Sequence, residues 1–260
     1  MFTVLSTAVQ PDKNSSVVGG LSPEERYFFD VNGYVVIEGV LSRNEAQRLS
    51  DVVGSRRLPP PGESLASQRF DDDFLLWDKG FQDLMDQPAI LARLRDLLGE
   101  HLRLDHCYGI VMAPKTSGLG LHGGATPWDP SQYYLHRGGR MYSGLTTVTW
   151  SLVDSDSGDG GFGCIPGSHK ANEWLPERVP VEWVREVPLA AGSVLIFTEA
   201  LTHCTLRWMV SYERRAVLFK YAPGHLAWAR HREPPTNLWA ALTDSQRRLL
   251  EPPAVSPDDP

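Results

Sequence analysis

The strongest constraint on this chain is a change of texture along it: helix-start signals crowd the first part, and turn-punctuated, strand-like runs fill the rest. In "LSPEERYFFDVNG", Ser22 is placed to cap a helix, Pro23 takes its first position, Glu25 completes a capping box and Gly33 stops it. "YVVIEGV" over 34–40 then crowds β-branched and aromatic residues as a strand does. "LSRNEAQRLSDVVG" repeats the helix logic with Ser42, Glu45 and Gly54, and "DQPAILARLRDLLG" over 86–99 spaces its apolar residues as a helix does. After Gly99 the period becomes two. "HLRLDHCYGIVMAP" alternates, "MYSGLTTVTWSLVD" over 141–154 reads as another strand, and "SDSGDGGFGCIPGSHK" over 155–170 is turn chemistry. "VREVPLAAGSVLIFTEALTHCTLRW" holds two strand-like runs split by "AAG", "RRAVLFKYAPGH" gives one more, and "LTDSQRRLLEPP" ends in a short helix.

Helices first, then about eight short strands joined by turns rather than crossover helices, predict a mainly β (α+β) fold. The expected core is a double-stranded β-helix, a jelly roll of the cupin kind, with N-terminal and flanking helices. No repeat or linker divides the chain, so the expected organisation is a flexible arm over 1–20, one jelly-roll domain over 21–250 and a polar tail over 251–260. "RRLPPPGES" over 56–64 reads as a surface connection or a lid.

A formal net charge of −7 with no basic block argues against a nucleic-acid polymer as partner. The three cysteines, Cys107, Cys164 and Cys204, form no Cys-x-x-Cys, so neither a disulfide framework nor a cysteine zinc site is indicated. No run approaches the ~20 apolar residues of a membrane span. A cytoplasmic protein acting on a small molecule, with no membrane partner, is the expectation. A carrier protein stays open as a partner, and so does the oligomeric state.

His122 and His203 each end a strand-like run, and a jelly roll can bring two such ends to one mouth. Neutral imidazoles bind first-row metals, and two of them with a carboxylate form the ligand set of non-haem iron oxygenases. Arg214 lies eleven residues after His203 and Thr205 two after it. A forked guanidinium and a hydroxyl beside a metal suit the distal carboxylate of a 2-oxo acid. Arg215 competes for that role, because neighbours on a strand face opposite ways.

With these residues in view the chain resembles the phytanoyl-CoA dioxygenase family of iron- and 2-oxoglutarate-dependent oxygenases. "FFDVNGYVVIEGVLSRNEAQRL", "GDGGFGCIPGSHK" and "AGSVLIFTEALTHCT…ERRAVLFKY" carry the likeness, from about residue 22 to about 224. The resemblance implies Fe(II), 2-oxoglutarate and O2 as cofactors, with His122 and His203 as metal ligands and Thr205 and Arg214 holding the 2-oxoglutarate carboxylate.

The departure is Gly124. The family's His-x-Asp reads "HGG" here, which removes the acid ligand. His-x-Gly is similar to the iron halogenases, where chloride takes the vacated position. That likeness implies chlorination of an unactivated C–H bond. It extends to enzymes of nucleoside-antibiotic biosynthesis that act on purine 2′-deoxynucleotides, with a carrier-tethered acyl group or a free metabolite as the other substrates. Two readings compete: a hydroxylase with an unusual third ligand, Asp129 or water, and a relative that binds a small molecule without catalysis. Substrate candidates are His106 and Tyr108 on one strand face, the ring faces of Trp128, Trp150 and Trp208, and the Arg137 and Arg140 pair for phosphate. For each alone, packing or solvated charge is the competing explanation.

Overall fold

The computed structural model describes residues 19–60, 67–124 and 127–255. The arm over 1–18, residues 61–66 of the proline-rich loop and the last residues of the tail lie outside the described residues. The elements run α1 (Pro23–Asn32), β1 (Tyr34–Ile37), α2 (Arg43–Gly54), β2 (Gln68–Phe70), α3 (Lys79–Asp83), α4 (Pro88–Leu98) and β3 (Leu102–Met112). They continue with β4 (Tyr134–Arg137), β5 (Arg140–Ser143), β6 (Thr146–Ser151), β7 (Gly161–Cys164), β8 (Arg185–Glu186), β9 (Val194–Thr198), β10 (His203–Leu206) and β11 (Arg214–Pro223). Two short helices close the chain, α5 (Thr236–Ala241) and α6 (Asp244–Leu249).

Both expected capping boxes form: Ser22 and Glu25 open α1, Ser42 and Glu45 open α2, and Gly33 ends α1 at φ 83°. Glu25 also receives Arg93 of α4 at 2.8 Å, a pair almost closed to solvent that ties the first helix to the fourth. One expected strand is two. The run over 141–154 breaks between β5 and β6 at Gly144, where a Cβ would stand 2.1 Å from the Ser131 carbonyl oxygen. The expected turn region over 155–170 contains β7, and β2, α3 and β4 arise where no element was expected.

Six strands form the larger sheet in the order β1-β9-β6-β11-β3-β2, antiparallel throughout. The smaller sheet is β10-β7-β8. This is the expected double-sheet jelly roll. Alternation sorts the larger sheet's side chains into two layers. Val148, Trp150, Val194, Ile196, Val217, Phe219 and Tyr221 face outward, into a core shared with Ile90, Leu91, Leu94, Leu97 and Leu98 of α4. At roughly 1.5–3 kcal/mol for each fully buried large apolar side chain, this layer dominates the stability of the domain. Leu195 and Phe197 face inward, against Phe162 and Cys164 of the smaller sheet. The open part of the inner layer holds the cavity described below.

The "PGSHK" turn locks α1 to the barrel. The His169 Nε2–H donates to the Asp30 carbonyl at 3.0 Å, and its Nδ1 is sealed without a partner. A Cβ at Gly33 would come within 2.6 Å of that ring, which leaves glycine as the residue that fits there. Burial pushes His169 from 6.5 down to about 4. The unfolded chain therefore takes up a proton between those values while the folded protein does not. Stability is full above pH 6.5 and falls as pH drops toward 4, by on the order of 3 kcal/mol from this group. Urea unfolding of wild type and His169→Gln at pH 7 and pH 4.5 checks this: the variant should lose less stability on acidification, and equal losses would refute the assignment.

Candidate active site

The site begins with a main-chain pairing. The segment ahead of His122 lies along β10, with the Thr205 N–H donating to the Leu119 carbonyl at 2.9 Å. The His122 and His203 main chains exchange two hydrogen bonds, each 2.9 Å. Two residues 81 positions apart in sequence thus become direct cross-strand neighbours, with ring centroids 4.2 Å apart.

Each ring is fixed at Nδ1. His122 donates from Nδ1 to the Gly120 carbonyl at 2.8 Å, and His203 to the Leu201 carbonyl at 2.7 Å. Carbonyl oxygens only accept, so the proton sits on Nδ1 and each Nε2 keeps a lone pair. This is the tautomer a metal-binding imidazole needs. His203 is held between Phe162 and Phe197, with centroids at 5.9 and 4.8 Å. Burial lowers its pKa to about 4; nearby Glu199 opposes the shift and His122 adds to it. The ring is neutral and ready to ligate at neutral pH.

Both histidines line one cavity between the sheets, with about 710 Å³ of empty space, part of it open to solvent. Arg214 and Thr205 line it too, as does Tyr108. Arg214 is 8% exposed, and its one side-chain hydrogen bond among the described residues runs 3.7 Å to the Met112 sulfur. No carboxylate pairs with it among the described residues, and burial lowers its pKa to about 10. A buried cation without an acid is costly unless an anion arrives. Arg215 faces the other way, onto Glu213 at 2.7 Å and the Ser50 carbonyl at 2.9 Å. Alternation thus gives the cavity to Arg214, and the donor set suits a first-row divalent ion with a 2-oxo dicarboxylate beside it.

Other candidates separate. Tyr108 lies under the Arg69 guanidinium at 5.0 Å. His106 stands behind it, stacked on Trp228 at 5.2 Å and donating from Nδ1 to Asp105 at 2.6 Å, but it does not line the cavity. Trp150 faces the outer core with no solvent exposure, because Thr149 takes the inward direction on β6; it is not a substrate contact. Trp208 is likewise buried, its indole N–H donating to the Tyr212 carbonyl. Trp128 is 66% exposed, and Arg137 and Arg140 face each other across the exposed β4–β5 hairpin; none of the three lines the cavity. Asp129 is taken up by Ser131 and the Trp228 indole N–H, away from the imidazoles.

Gly124 does not line the cavity either. Its φ is +70°, its N–H donates to the Glu199 carbonyl at 3.0 Å, and a Cβ there would stand 2.8 Å from the Ala200 carbonyl oxygen. Backbone conformation and close packing are sufficient reason for glycine at this position.

Sequence reasoning missed Glu199 and Lys220. Both line the cavity, paired at 2.9 Å, and the Thr147 hydroxyl donates to the same Glu199 oxygen. The Lys220 ammonium and the Thr147 hydroxyl hold Glu199 ionised, with its pKa lowered to about 2 despite burial. The available signal was a charge inside an apolar run, in "LIFTEAL" and "VLFKY". Among the described residues, no three His, Cys, Asp or Glu side chains stand close enough to hold a metal as a group.

Comparison with known proteins bears on the fold and the family. HygX from Streptomyces hygroscopicus, with nickel and 2-oxoglutarate bound, superposes with a TM-score of 0.72 at 27% identity, over 84% of this chain and 94% of HygX. HygX with hygromycin B also bound gives 0.71. The epimerase SnoN from nogalamycin biosynthesis shares the fold, with a TM-score of 0.59 at 20% identity over 76% of this chain and 79% of SnoN. Dioxygenase af480 of Aspergillus fumigatus is 24% identical over 177 residues, 67% of this chain; the chain spans about half the length of that relative, 53%. The family model for phytanoyl-CoA dioxygenase matches residues 29–216, which include both histidines, the Gly124 turn and Arg214. The chain belongs to the phytanoyl-CoA dioxygenase family of non-haem iron, 2-oxoglutarate-dependent enzymes.

Proposed function

We propose that the protein couples conversion of 2-oxoglutarate to succinate and CO2 with oxidation of an unactivated C–H bond in a small molecule. The observation that carries this reading is Arg214, a buried guanidinium with no acid partner among the described residues, in the same cavity wall as two imidazoles with free Nε2 lone pairs. His122 and His203 would hold Fe(II), and Arg214 with the Thr205 hydroxyl would take the distal carboxylate of 2-oxoglutarate. Bound iron supplies the activation of O2. The protein's own part is to fix both ring tautomers, anchor the 2-oxo acid by a charge-assisted fork and keep bulk water from the inner wall. Tyr108, with Arg69 over its face, supports a flat, anion-bearing substrate at the far side of the cavity.

A second reading is halogenation, favoured by the absence of any side chain at position 124. Hydroxylation consumes R–H, O2 and 2-oxoglutarate and gives R–OH, succinate and CO2. Chlorination also consumes Cl⁻ and H⁺ and gives R–Cl and water in place of R–OH. Anaerobic reconstitution with Fe(II) and 2-oxoglutarate, with and without chloride, followed by O2 and a metabolite panel read by mass spectrometry, separates them. Succinate in step with an oxygenated product supports the first reading; a chlorine isotope pair lost on halide removal supports the second. A loaded protein that consumes no 2-oxoglutarate with any substrate sinks both.

A further inference from the structure

We propose that Glu199 supplies the anionic charge of the metal site that position 124 lacks, acting from the cavity wall just outside the positions the two imidazoles command. The inference rests on the reading of His122 and His203 as metal ligands. Three observations carry it.

Glu199 lines the same cavity as both rings, with its side chain 4% exposed. Its oxygens are not equivalent. Oε1 takes the Lys220 ammonium and the Thr147 hydroxyl, whereas no hydrogen bond reaches Oε2 among the described residues. Oε2 is thus the carboxylate oxygen left for the cavity that Glu199 lines. An unpartnered carboxylate oxygen in a buried wall beside two lone-pair nitrogens makes the surroundings attractive to a cation.

The chain also places Glu199 deliberately. Its carbonyl accepts from Gly124 N–H and its N–H donates to the Leu145 carbonyl at 2.9 Å. The connection to His203 is pinned from outside, where the Ile165 N–H donates to the Thr202 carbonyl and the Ser168 hydroxyl accepts from the Thr202 N–H. One rigid turn therefore carries both the carboxylate and an imidazole, while the Gly124 backbone docks on that turn and leaves no room for a side chain of its own. The glycine and the glutamate are two parts of one arrangement. Outer groups of this kind commonly set metal affinity by tenfold or more.

The test is a calorimetric titration of metal-free protein with Ni(II), without 2-oxoglutarate or O2. Glu199→Gln strands the Lys220 ammonium and Lys220→Met strands the Glu199 carboxylate, so either single change can weaken the fold, and the decisive pair is wild type against Glu199→Gln/Lys220→Met. Removing a buried ion pair whole is often neutral for stability, and thermal melts of all variants confirm folding. The double variant should bind at least tenfold more weakly than wild type, because losing the Lys220 ammonium with the carboxylate cannot itself repel the cation. Equal affinity of the two overturns the role of Glu199. Failure of wild type to bind Ni(II) at all would instead overturn the ligand assignment of the histidines.

Discussion

Replacing Arg214 with methionine is expected to raise the 2-oxoglutarate concentration for half-maximal turnover by two orders of magnitude or more, while the ligand-free protein melts at the same or a higher temperature. Breaking a buried, hydrogen-bonded charge pair costs about 2–5 kcal/mol, and each 1.4 kcal/mol is tenfold in affinity. The two effects run in opposite directions for one reason. Without 2-oxoglutarate, the guanidinium of Arg214, 8% exposed, has only a thioether sulfur as hydrogen-bond partner among the described residues, so its charge is a burden on the fold. With 2-oxoglutarate, the same charge is the anchor. Steady-state kinetics over a range of 2-oxoglutarate, with melts run with and without it, read both. An unchanged dependence on 2-oxoglutarate would remove Arg214 from the role. A fall in the melting temperature of the ligand-free protein would show a structural partner for the guanidinium.

The second large effect is expected at Gly118. A Cβ there would stand 1.5 Å from the Thr205 carbonyl oxygen and 2.4 Å from its carbon. Both are main-chain atoms of β10, so no side-chain rotation relieves the contact. Gly118→Ala must push the segment ahead of His122 off the strand that carries His203. We expect a loss of about 3 kcal/mol or more in unfolding free energy, with Ni(II) affinity falling in parallel as His122 loses its register. Gly120→Ala is the control, because a Cβ there meets nothing within 4 Å; it should fall within ~0.5 kcal/mol of wild type. Denaturant unfolding and Ni(II) titration of both variants check this. If Gly118→Ala matched the control, the docking of this segment on β10 would be wrong.

Much of the frame was legible in the chain. Ser22 with Glu25, Ser42 with Glu45, and Gly33 announced two helices through capping chemistry that acts within a few residues. The histidine pair and Arg214 were legible because strand ends and alternation are also local. What stayed hidden depends on which face of a strand meets which neighbour. All six residues of β6 are buried, and its polar side, with Thr149, lines the cavity instead of meeting solvent, so Trp150 could not be assigned to the outer core before the sheet order was known. Glu199 and Lys220 sit 21 positions apart on different elements, and only their antiparallel neighbours bring them together. Gly124 shows the same limit: a missing side chain reads as a vacancy in sequence, and only the fold shows its backbone pressed against Ala200.

On the ligand assignment proposed above, the doubly hydrogen-bonded rung between His122 and His203 has a consequence for how this protein would live with its ion. The spacing of the two rings is set by ladder geometry and does not wait for an ion to gather them. Apoprotein and holoprotein are then the same folded object, unlike small zinc modules that collapse when chelated. Loading becomes an exchange reaction at a preshaped port, and divalent ions of similar size can trade places there without refolding. Which of them occupies it is decided by supply in the cell as much as by the polypeptide.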